Sequence, residues 1–244
     1  MLRRFNLGEA GRIVSFLTRE GGKVRAVARS ARRPKSKFAG VLEPLTHIHL
    51  EYSGKETADL FHVTSADVLR SFDRLRRDYD KAMSALVMAE LLDRLVEGGG
   101  PQPEIFDLSL GVLDLMEEKD SAEDPLLLFE ARFLRELGYQ PNLDGCARCG
   151  ADLTAGGAFF RAGAADLLCP KCSSGGVRLS PGTVKHLAAL SALPFDRASR
   201  LSAVRVVREE AQRFLHAFLT AVSGAHLKSL RFLSGAAPQR SRRT

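Results

Sequence analysis

Residues 16–33 have the sequence FLTREGGKVRAVARSARR, in which a glycine-containing turn joins two segments rich in β-forming residues. The first segment, Gly11–Thr18, is followed by Glu20-Gly21-Gly22, a sequence that favours a tight hairpin turn. The second segment alternates so regularly that its two faces as a β-strand can be assigned. One face carries Val24, Ala26 and Ala28, and the other carries Lys23, Arg25, Val27 and Arg29. The pattern predicts a β-hairpin with one apolar and one cationic face.

The cationic face continues into a basic segment, Ser-Ala-Arg-Arg-Pro-Lys-Ser-Lys, at residues 30–37. Cations on one sheet face are costly to bury, so this face is either solvated or in contact with an anion. We predict that it binds nucleic acid without reading base sequence, and that salt weakens the binding strongly. The predicted contacts are Arg25, Arg29, Arg32, Arg33, Lys35 and Lys37. Phe5 and Phe38 are aromatic candidates for base stacking, and for each of them a place in the hydrophobic core is the alternative.

Further strands are predicted at residues 41–52 and 59–63. Four or five short strands in about 65 residues are typical of a small closed or partly open barrel. From Ser65 onward the apolar residues recur with helical spacing. The predicted helices cover residues 79–96, 105–116, 125–137, 180–193 and 203–222. The tail after Ser234 is basic and is predicted to be disordered.

The charge of the chain is strongly segregated. Overall, 36 Lys and Arg face 29 Asp and Glu, a net charge of +7. Residues 1–40 carry 11 cations against 2 acids (+9), residues 76–145 carry 7 against 16 (−9), and residues 177–244 carry 12 against 3 (+9). Such segregation indicates polyanionic partners for the basic ends. No apolar run reaches the roughly 18 residues of a membrane helix and no signal peptide is recognisable, so we expect a soluble cytoplasmic protein with no membrane partner.

All four cysteines fall in two C-x-x-C pairs, Cys146/Cys149 and Cys169/Cys172. This spacing is typical of a structural zinc site with four thiolate ligands, one Zn²⁺ per chain. Disulfides are disfavoured without an export signal, and a redox C-x-x-C normally occurs once, beside a βαβ pattern. A deaminase site would need a proline before its C-x-x-C, whereas Pro170 lies inside the second pair.

Positive signs of catalysis are missing from the sequence. The glycines fit neither a P-loop nor a dinucleotide-binding motif, and no serine has a G-x-S-x-G setting, so we expect no nucleotide cofactor and no enzyme activity. His47 and His49 have the spacing of two metal ligands on one face of a strand. A metal-dependent hydrolase is therefore an alternative, set against a half-exposed strand face that has no metal.

Several motifs together resemble the RecO family of bacterial recombination and repair mediators. They are Leu7-Gly8-Glu9-Ala10, the stretch at residues 16–33, Leu-Glu-Pro-Leu at residues 42–45, and L-x-x-L-G-Y-x-P at residues 134–141. The order of parts also matches that family, and the resemblance covers nearly the whole chain. It implies an α+β protein: an N-terminal OB-fold β-barrel, then an all-helical domain with an inserted four-cysteine zinc module. The expected divisions are residues 1–63 (OB-fold), 64–143 and 177–234 (helical domain), 144–176 (zinc insert) and 235–244 (tail).

The resemblance also implies a function. It predicts a nucleoid-associated protein that binds single- and double-stranded DNA, anneals complementary strands, and helps to load the RecA recombinase onto coated single strands. RecR and the single-stranded-DNA-binding protein are the implied partners. An RNA-binding or transcription-associated zinc-ribbon protein is the alternative within the same broad class.

The chain departs from the RecO pattern at two places. The family usually has about half a dozen more residues before Leu2-Arg3, which form most of the first barrel strand, so we expect a misassigned start or a shortened strand. Ser30 stands where the family usually has glycine. If that glycine serves a positive φ, serine there costs about 1 kcal/mol.

Overall fold

The computed structural model of the protein describes residues 1–55, 58–161 and 166–224. The described residues form two compact units, of which the first is Met1–Glu118 and the second begins at Lys119. The basic tail at residues 235–244 lies outside the described residues. No helix in the described ranges has both the length and the apolar character that crossing a membrane requires.

The first unit begins with a five-stranded sheet. Its strands are β1 (Arg3–Leu7), β2 (Gly11–Thr18), β3 (Gly22–Ala28), β4 (His47–Ser53) and β5 (Phe61–Arg70), in the order β1-β2-β3-β5-β4. Neighbouring strands are antiparallel except for β3 and β5, which are parallel. At the two sheet edges, the Leu45 N–H donates to the Met1 carbonyl at 3.1 Å, which connects the residues that precede β4 and β1. This is the predicted OB-fold.

The β2–β3 hairpin has the predicted apolar face, because Val24, Ala26 and Ala28 are buried. On the opposite face Arg25 and Arg29 are exposed as predicted, whereas Lys23 is half-buried and Val27 is buried. The turn needs glycine at residue 22, where φ is +63° and a Cβ atom would lie 2.0 Å from the Gly100 carbonyl oxygen. The hairpin turn therefore packs against the loop that contains Gly100, between the second and third helices after the sheet.

The interior of the sheet is filled by side chains from the hairpin, from β5 and from the segment between β3 and β4. They are Val14, Phe16, Ala26, Ala28, Ala31, Phe38, Leu42, Val63 and Ala66. Phe38 is thus a core residue. Fully burying a side chain of Phe or Leu size contributes about 1.5–3 kcal/mol, so the segment that carries Phe38 and Leu42 is held firmly to the sheet.

The strand β5 continues to Arg70, beyond the strand predicted to end at Val63. Its second half has little alternation of its own and is held by pairing with β4, for example Ile48 with Val68. The helices α1 (Asp73–Arg77), α2 (Tyr79–Leu95) and α3 (Pro103–Glu118) follow. The side chain of Asp78 caps α2 by accepting a hydrogen bond from the Lys81 N–H.

The second unit contains the remaining elements: α4 (Glu123–Glu136), α5 (Leu153–Gly156), β6 (Ala158–Phe160), β7 (Leu167–Leu168), β8 (Val177–Leu179), α6 (Pro181–Ala192), α7 (Phe195–Ala198) and α8 (Arg205–Ser223). The helices α4, α6 and α8 pack together around Phe129, Phe133, Leu187 and Phe214, all of which are buried. The short strands form a sheet in the order β7-β6-β8. The cysteine pairs lie beside it.

The helix α6 is capped at both ends by charged side chains from its neighbours. At its N-terminus, Glu210 on α8 accepts a hydrogen bond from the Ser180 N–H at 2.8 Å. At its C-terminus, the buried Arg132 on α4 donates to the Leu190 carbonyl at 3.0 Å. An anion at the start and a cation at the end both complement the helix dipole.

Candidate nucleic-acid interface and metal centre

The segment at residues 29–42, here called the cationic loop, is a succession of tight turns. Its backbone is tied to the β1–β2 turn, because the Arg32 N–H donates to the Ala10 carbonyl at 2.9 Å. Ala31, Phe38 and Leu42 are buried and anchor it to the core. The cations between these anchors therefore project from a fixed backbone.

Six cations stand on this loop and on β3, and all are exposed. They are the six predicted contacts: Arg25, Arg29, Arg32, Arg33, Lys35 and Lys37. Among the described residues, none of them forms an ion pair with a carboxylate. Arg32 donates to the Gly8 carbonyl at 3.2 Å, and Lys37 donates to the Thr64 carbonyl at 2.6 Å. Because a carbonyl does not neutralise a cation, the positive charge of the group stays available to an anion.

The other cations of the N-terminal region are engaged within the protein. Arg4 and Arg12 both pair with Glu43, Arg3 lies 3.6 Å from the Asp93 carboxylate, and Arg19 forms a two-pronged pair with Asp107 at 3.1 Å. Lys23 donates to the backbone carbonyl of Asp93 at 2.9 Å. Sequence reasoning had no signal for most of these pairings, because Asp93 and Asp107 lie on α2 and α3, far along the chain.

Of the two aromatic candidates, Phe38 is buried and Phe5 is exposed. Phe5 stands on the outer face of the sheet, opposite the interior, and the residue keeps 41% of its surface accessible. The Arg3 guanidinium carbon lies 4.4 Å from the centre of that ring. A cation over one face of an aromatic ring is a favourable arrangement.

The four cysteine sulfurs converge in the second unit. The sulfur atoms of Cys146, Cys149, Cys169 and Cys172 all lie within 4.8 Å of one another. Four sulfurs placed tetrahedrally around Zn²⁺ at 2.3 Å are about 3.8 Å apart, and the Cys149 and Cys169 sulfurs are separated by 3.7 Å. The cluster thus has the size of a four-thiolate metal site.

The two C-x-x-C pairs form matching turns around the cluster. In each turn the N–H of the residue after the second cysteine donates to the carbonyl of the first, Gly150 to Cys146 at 2.8 Å and Ser173 to Cys169 at 3.0 Å. A glycine suits position 150, where φ is +72°. Arg148 crosses from the first turn to the second and donates to the Cys172 carbonyl at 3.0 Å.

The electrostatics of the cluster fit a bound cation. Backbone N–H groups of Cys169, Cys149 and Arg148 point at the Cys146 sulfur and lower the pKa of this thiol to about 6. At Cys172, the hydrogen bond with Cys149 and then burial raise the pKa of the thiol to about 12. One thiolate is therefore favoured, but its neighbours cannot all ionise beside it without a positive charge. A Zn²⁺ ion held by the four sulfurs would supply that charge and favour the deprotonated thiols.

The cysteine-bearing insert is joined to the helices through an aromatic cluster. Phe160 on β6 is buried, with its ring centre 5.0 Å from that of Phe214 and 6.1 Å from that of Phe218 on α8. Leu153 and Leu167 are buried beside it. The insert thus depends on α8 for part of its core.

His47 and His49 do not form a metal site with the described residues. In the part of the chain that the structure describes, the four cysteines are the sole group of three or more side chains placed to hold a metal ion. His47 instead packs edge-on against Phe106, with the two ring centres 6.0 Å apart. Burial lowers the pKa of the His47 imidazole. The geometry gives no support to a hydrolase.

The comparisons with known proteins agree with this architecture. The family model described as "Recombination protein O N terminal" matches residues 1–72, and "Recombination protein O C terminal" matches residues 76–231. A protein named "DNA repair protein RecO" from Anaeromyxobacter sp. (strain K) is 36% identical over 241 residues, covering 98% of this chain and 95% of the relative. Its namesake from Symbiobacterium thermophilum is 34% identical over 240 residues, covering 96% and 94%.

Shorter matches point the same way. A protein of that name from a Nocardioides species is 40% identical over 198 residues, covering 79% of this chain and 80% of the relative. The two family models together account for nearly all of the chain, and the long relatives align with 96–98% of it. The chain therefore belongs to the RecO family.

Proposed function

We propose that this protein acts in DNA repair as a non-catalytic recombination mediator that binds DNA through Arg25 and the cations of the cationic loop. The main observation behind the proposal is that some cations of the N-terminal unit are paired with carboxylates and others are not. The six proposed contacts are exposed and have no carboxylate partner among the described residues, whereas Arg3, Arg4, Arg12 and Arg19 are paired. Unpaired cations on a fixed backbone are suited to phosphate groups, which they bind regardless of base sequence.

Strand annealing follows from the same chemistry. Two complementary strands repel each other through their phosphates, and a surface that neutralises phosphates on both brings them together at lower cost. Base pairing then supplies the specificity, so the protein needs no base-reading side chains and no nucleotide hydrolysis. Membership of the RecO family supports the further proposals that it assists recombinase loading and works with RecR and the single-stranded-DNA-binding protein.

The second part of the proposal is a structural Zn²⁺ held by Cys146, Cys149, Cys169 and Cys172, one per chain. When bound, the ion supplies charge neutralisation and cross-linking, and four thiolates leave it no open position for catalysis. The insert offers few buried apolar side chains of its own, whereas structural zinc contributes on the order of 10 kcal/mol to small modules. The proposed role of the site is therefore to stabilise the folded second unit.

The test of function is the annealing of complementary DNA strands coated with single-stranded-DNA-binding protein, with and without this protein. The variant Arg29→Glu/Arg32→Glu/Arg33→Glu should lose single-strand binding at moderate salt and lose annealing with it. The matched control, Arg178→Glu/Lys185→Glu/Arg197→Glu, changes the net charge equally at exposed positions of the second unit and should retain both activities.

Unchanged affinity in the first variant would refute the proposed surface. Equal loss in both variants would show that net charge, not this surface, governs binding. The same strands made as RNA separate the proposal from the RNA-binding alternative, which requires annealing of RNA and weak activity on DNA.

A further inference from the structure

We infer that the exposed part of the outer face of β1, β2 and β3 is a base-stacking platform centred on Phe5, which a single strand can use and a duplex cannot. The inference rests on the proposed DNA binding and adds a second contact to it. Phosphates of single and double strands alike would meet the cationic loop. Only unpaired bases would reach the platform.

The strand register places the platform residues side by side. Across the three strands, Phe5 pairs with Ile13 and Ile13 pairs with Val27, which gives one apolar row in which Phe5 is exposed, Ile13 is half-buried and Val27 is buried. In the next row on that face, Arg3 and Arg25 are exposed, and Ser15 between them is buried. Side chains of residues two apart on a strand are about 6.6–6.8 Å from each other, so Arg25 stands one step from the apolar row.

A cation lies over the ring of Phe5. Arg3 contacts one face of the ring and is itself fixed by Asp93, whose carboxylate accepts a hydrogen bond from the Ser15 hydroxyl at 2.7 Å. Phe5 as a residue nevertheless keeps 41% of its surface accessible. An exposed aromatic residue that a cation orients suits a flat partner, and a nucleobase is such a partner.

The positive charge around Phe5 favours a flat ligand that also carries negative charge. Arg25 and Arg29 are exposed and carry no carboxylate partner among the described residues, so a ligand here gains from negative charge. Leu7, also 41% accessible, follows Phe5 on the same face and extends the apolar surface. Aromatic rings beside unpaired arginines are the combination that holds single-stranded nucleic acid.

The platform would make the protein bind single strands more tightly than the duplex that annealing produces. Bases within a duplex are stacked on each other and cannot reach Phe5, so the product of annealing keeps the loop contacts and loses the platform. Single strands are therefore held more tightly than the duplex they form. The difference favours release of the product and capture of new single strands.

The test compares three probes by fluorescence anisotropy at fixed salt: oligothymidylate, an abasic oligonucleotide of the same length, and a blunt duplex. The variant Phe5→Leu should bind oligothymidylate about 5-fold to 100-fold more weakly, the loss expected for one stacked base. Its affinity for the abasic strand and the duplex should stay within about twofold of the unchanged protein. Phe5→Tyr, which retains a ring, should restore the binding of oligothymidylate.

Tyr79→Leu is the matched control, because Tyr79 is an exposed aromatic residue on α2, away from the platform. It should bind all three probes as the unchanged protein does. Equal affinity of Phe5→Leu and the unchanged protein for oligothymidylate would overturn the platform and leave the proposed function standing. Equal weakening for all three probes would also overturn it, because the ring would then support the cationic surface generally. Failure of the unchanged protein to bind any probe would instead refute the proposed function.

Discussion

Ser30 lies in the left-handed region of backbone conformation, with a φ of 57°, at the start of the cationic loop. This agrees with the expectation from the family's usual glycine at this position. Side chains disfavour that region because Cβ approaches the following carbonyl oxygen. The strain is tolerated because Ala31, the next residue, is buried in the core and fixes the turn.

We predict that Ser30→Gly stabilises the protein by about 0.5–1 kcal/mol, since glycine adopts positive φ without strain but is more flexible when unfolded. The Ser30 side chain makes no hydrogen bond among the described residues, so none is lost. Urea unfolding of the full chain measures the change. Ser30→Ala keeps the strain and should show no gain; stabilisation of both variants alike would contradict the conformational explanation.

Single residues also show how far the sequence could predict the site. The cysteine cluster was predictable because both members of each pair lie three positions apart, so their geometry is local. For Phe5 the sequence left base stacking and a place in the core as alternatives, since its exposure depends on which side chains cover the outer face. The sorting of arginines into paired and unpaired depends in the same way on acids such as Asp93 and Asp107, brought near by tertiary packing.

Among the elements, α4 and α8 are joined by a buried ion pair. The His216 Nε2 atom lies 3.2 Å from Oε1 of Glu130, which is fully buried. Burial by itself would lower the pKa of His216, but the adjacent Glu130 carboxylate outweighs it, and the pKa is raised above its ordinary value of 6.5. The charged pair therefore stabilises the folded state most fully below pH 6.5, and its contribution falls as the pH rises through the raised pKa.

We predict that His216→Gln destabilises the second unit more at pH 6 than at pH 8.5. Removal of one partner leaves a buried carboxylate without its cation, a change that typically costs about 3–5 kcal/mol. Urea unfolding at the two pH values measures the difference. The double variant Glu130→Leu/His216→Leu should lose this pH dependence, and an equal effect of His216→Gln at both pH values would contradict the assignment.

The four-cysteine cluster, with its proposed Zn²⁺, gives a second prediction for the second unit. We predict that Cys146→Ser lowers the metal content below one Zn²⁺ per chain and destabilises the second unit, because three thiolates no longer close the site. A strong chelator should have the same effect on the unchanged protein. Atomic absorption and thermal unfolding measure both, and His47→Ala should leave metal content unchanged. A metal-free protein of equal stability would exclude the site.

At the element scale, the sequence predicted the helices better than the end of β5. The helices α2, α6 and α8 carry strong caps or long apolar stripes, which are local signals. The second half of β5 instead takes its structure from hydrogen bonds to β4. Support from a partner strand leaves no pattern within the supported segment itself to detect.

For the whole molecule, the proposed binding surface fixes the salt dependence of affinity. Six phosphate contacts on a single strand correspond to a slope of about −4 in a plot of log K against log salt concentration. We predict that Arg29→Gln/Arg32→Gln/Arg33→Gln reduces the slope by about 2. Titrations with oligothymidylate from low to moderate salt measure it. Arg178→Gln/Lys185→Gln/Arg197→Gln should leave the slope unchanged, and a slope that does not respond to the loop variant would contradict the surface.

Because the chain contains no tryptophan, a tryptophan placed at the exposed position 5 could serve as a fluorescent reporter of strand binding. A Phe5→Trp substitution would place the sole indole of the molecule where we infer that bases stack. Its emission would report arrival and departure of a strand without an attached dye, since stacking on the indole changes its surroundings directly. Stopped-flow fluorescence could then resolve, within one annealing reaction, when the bases leave the protein for each other.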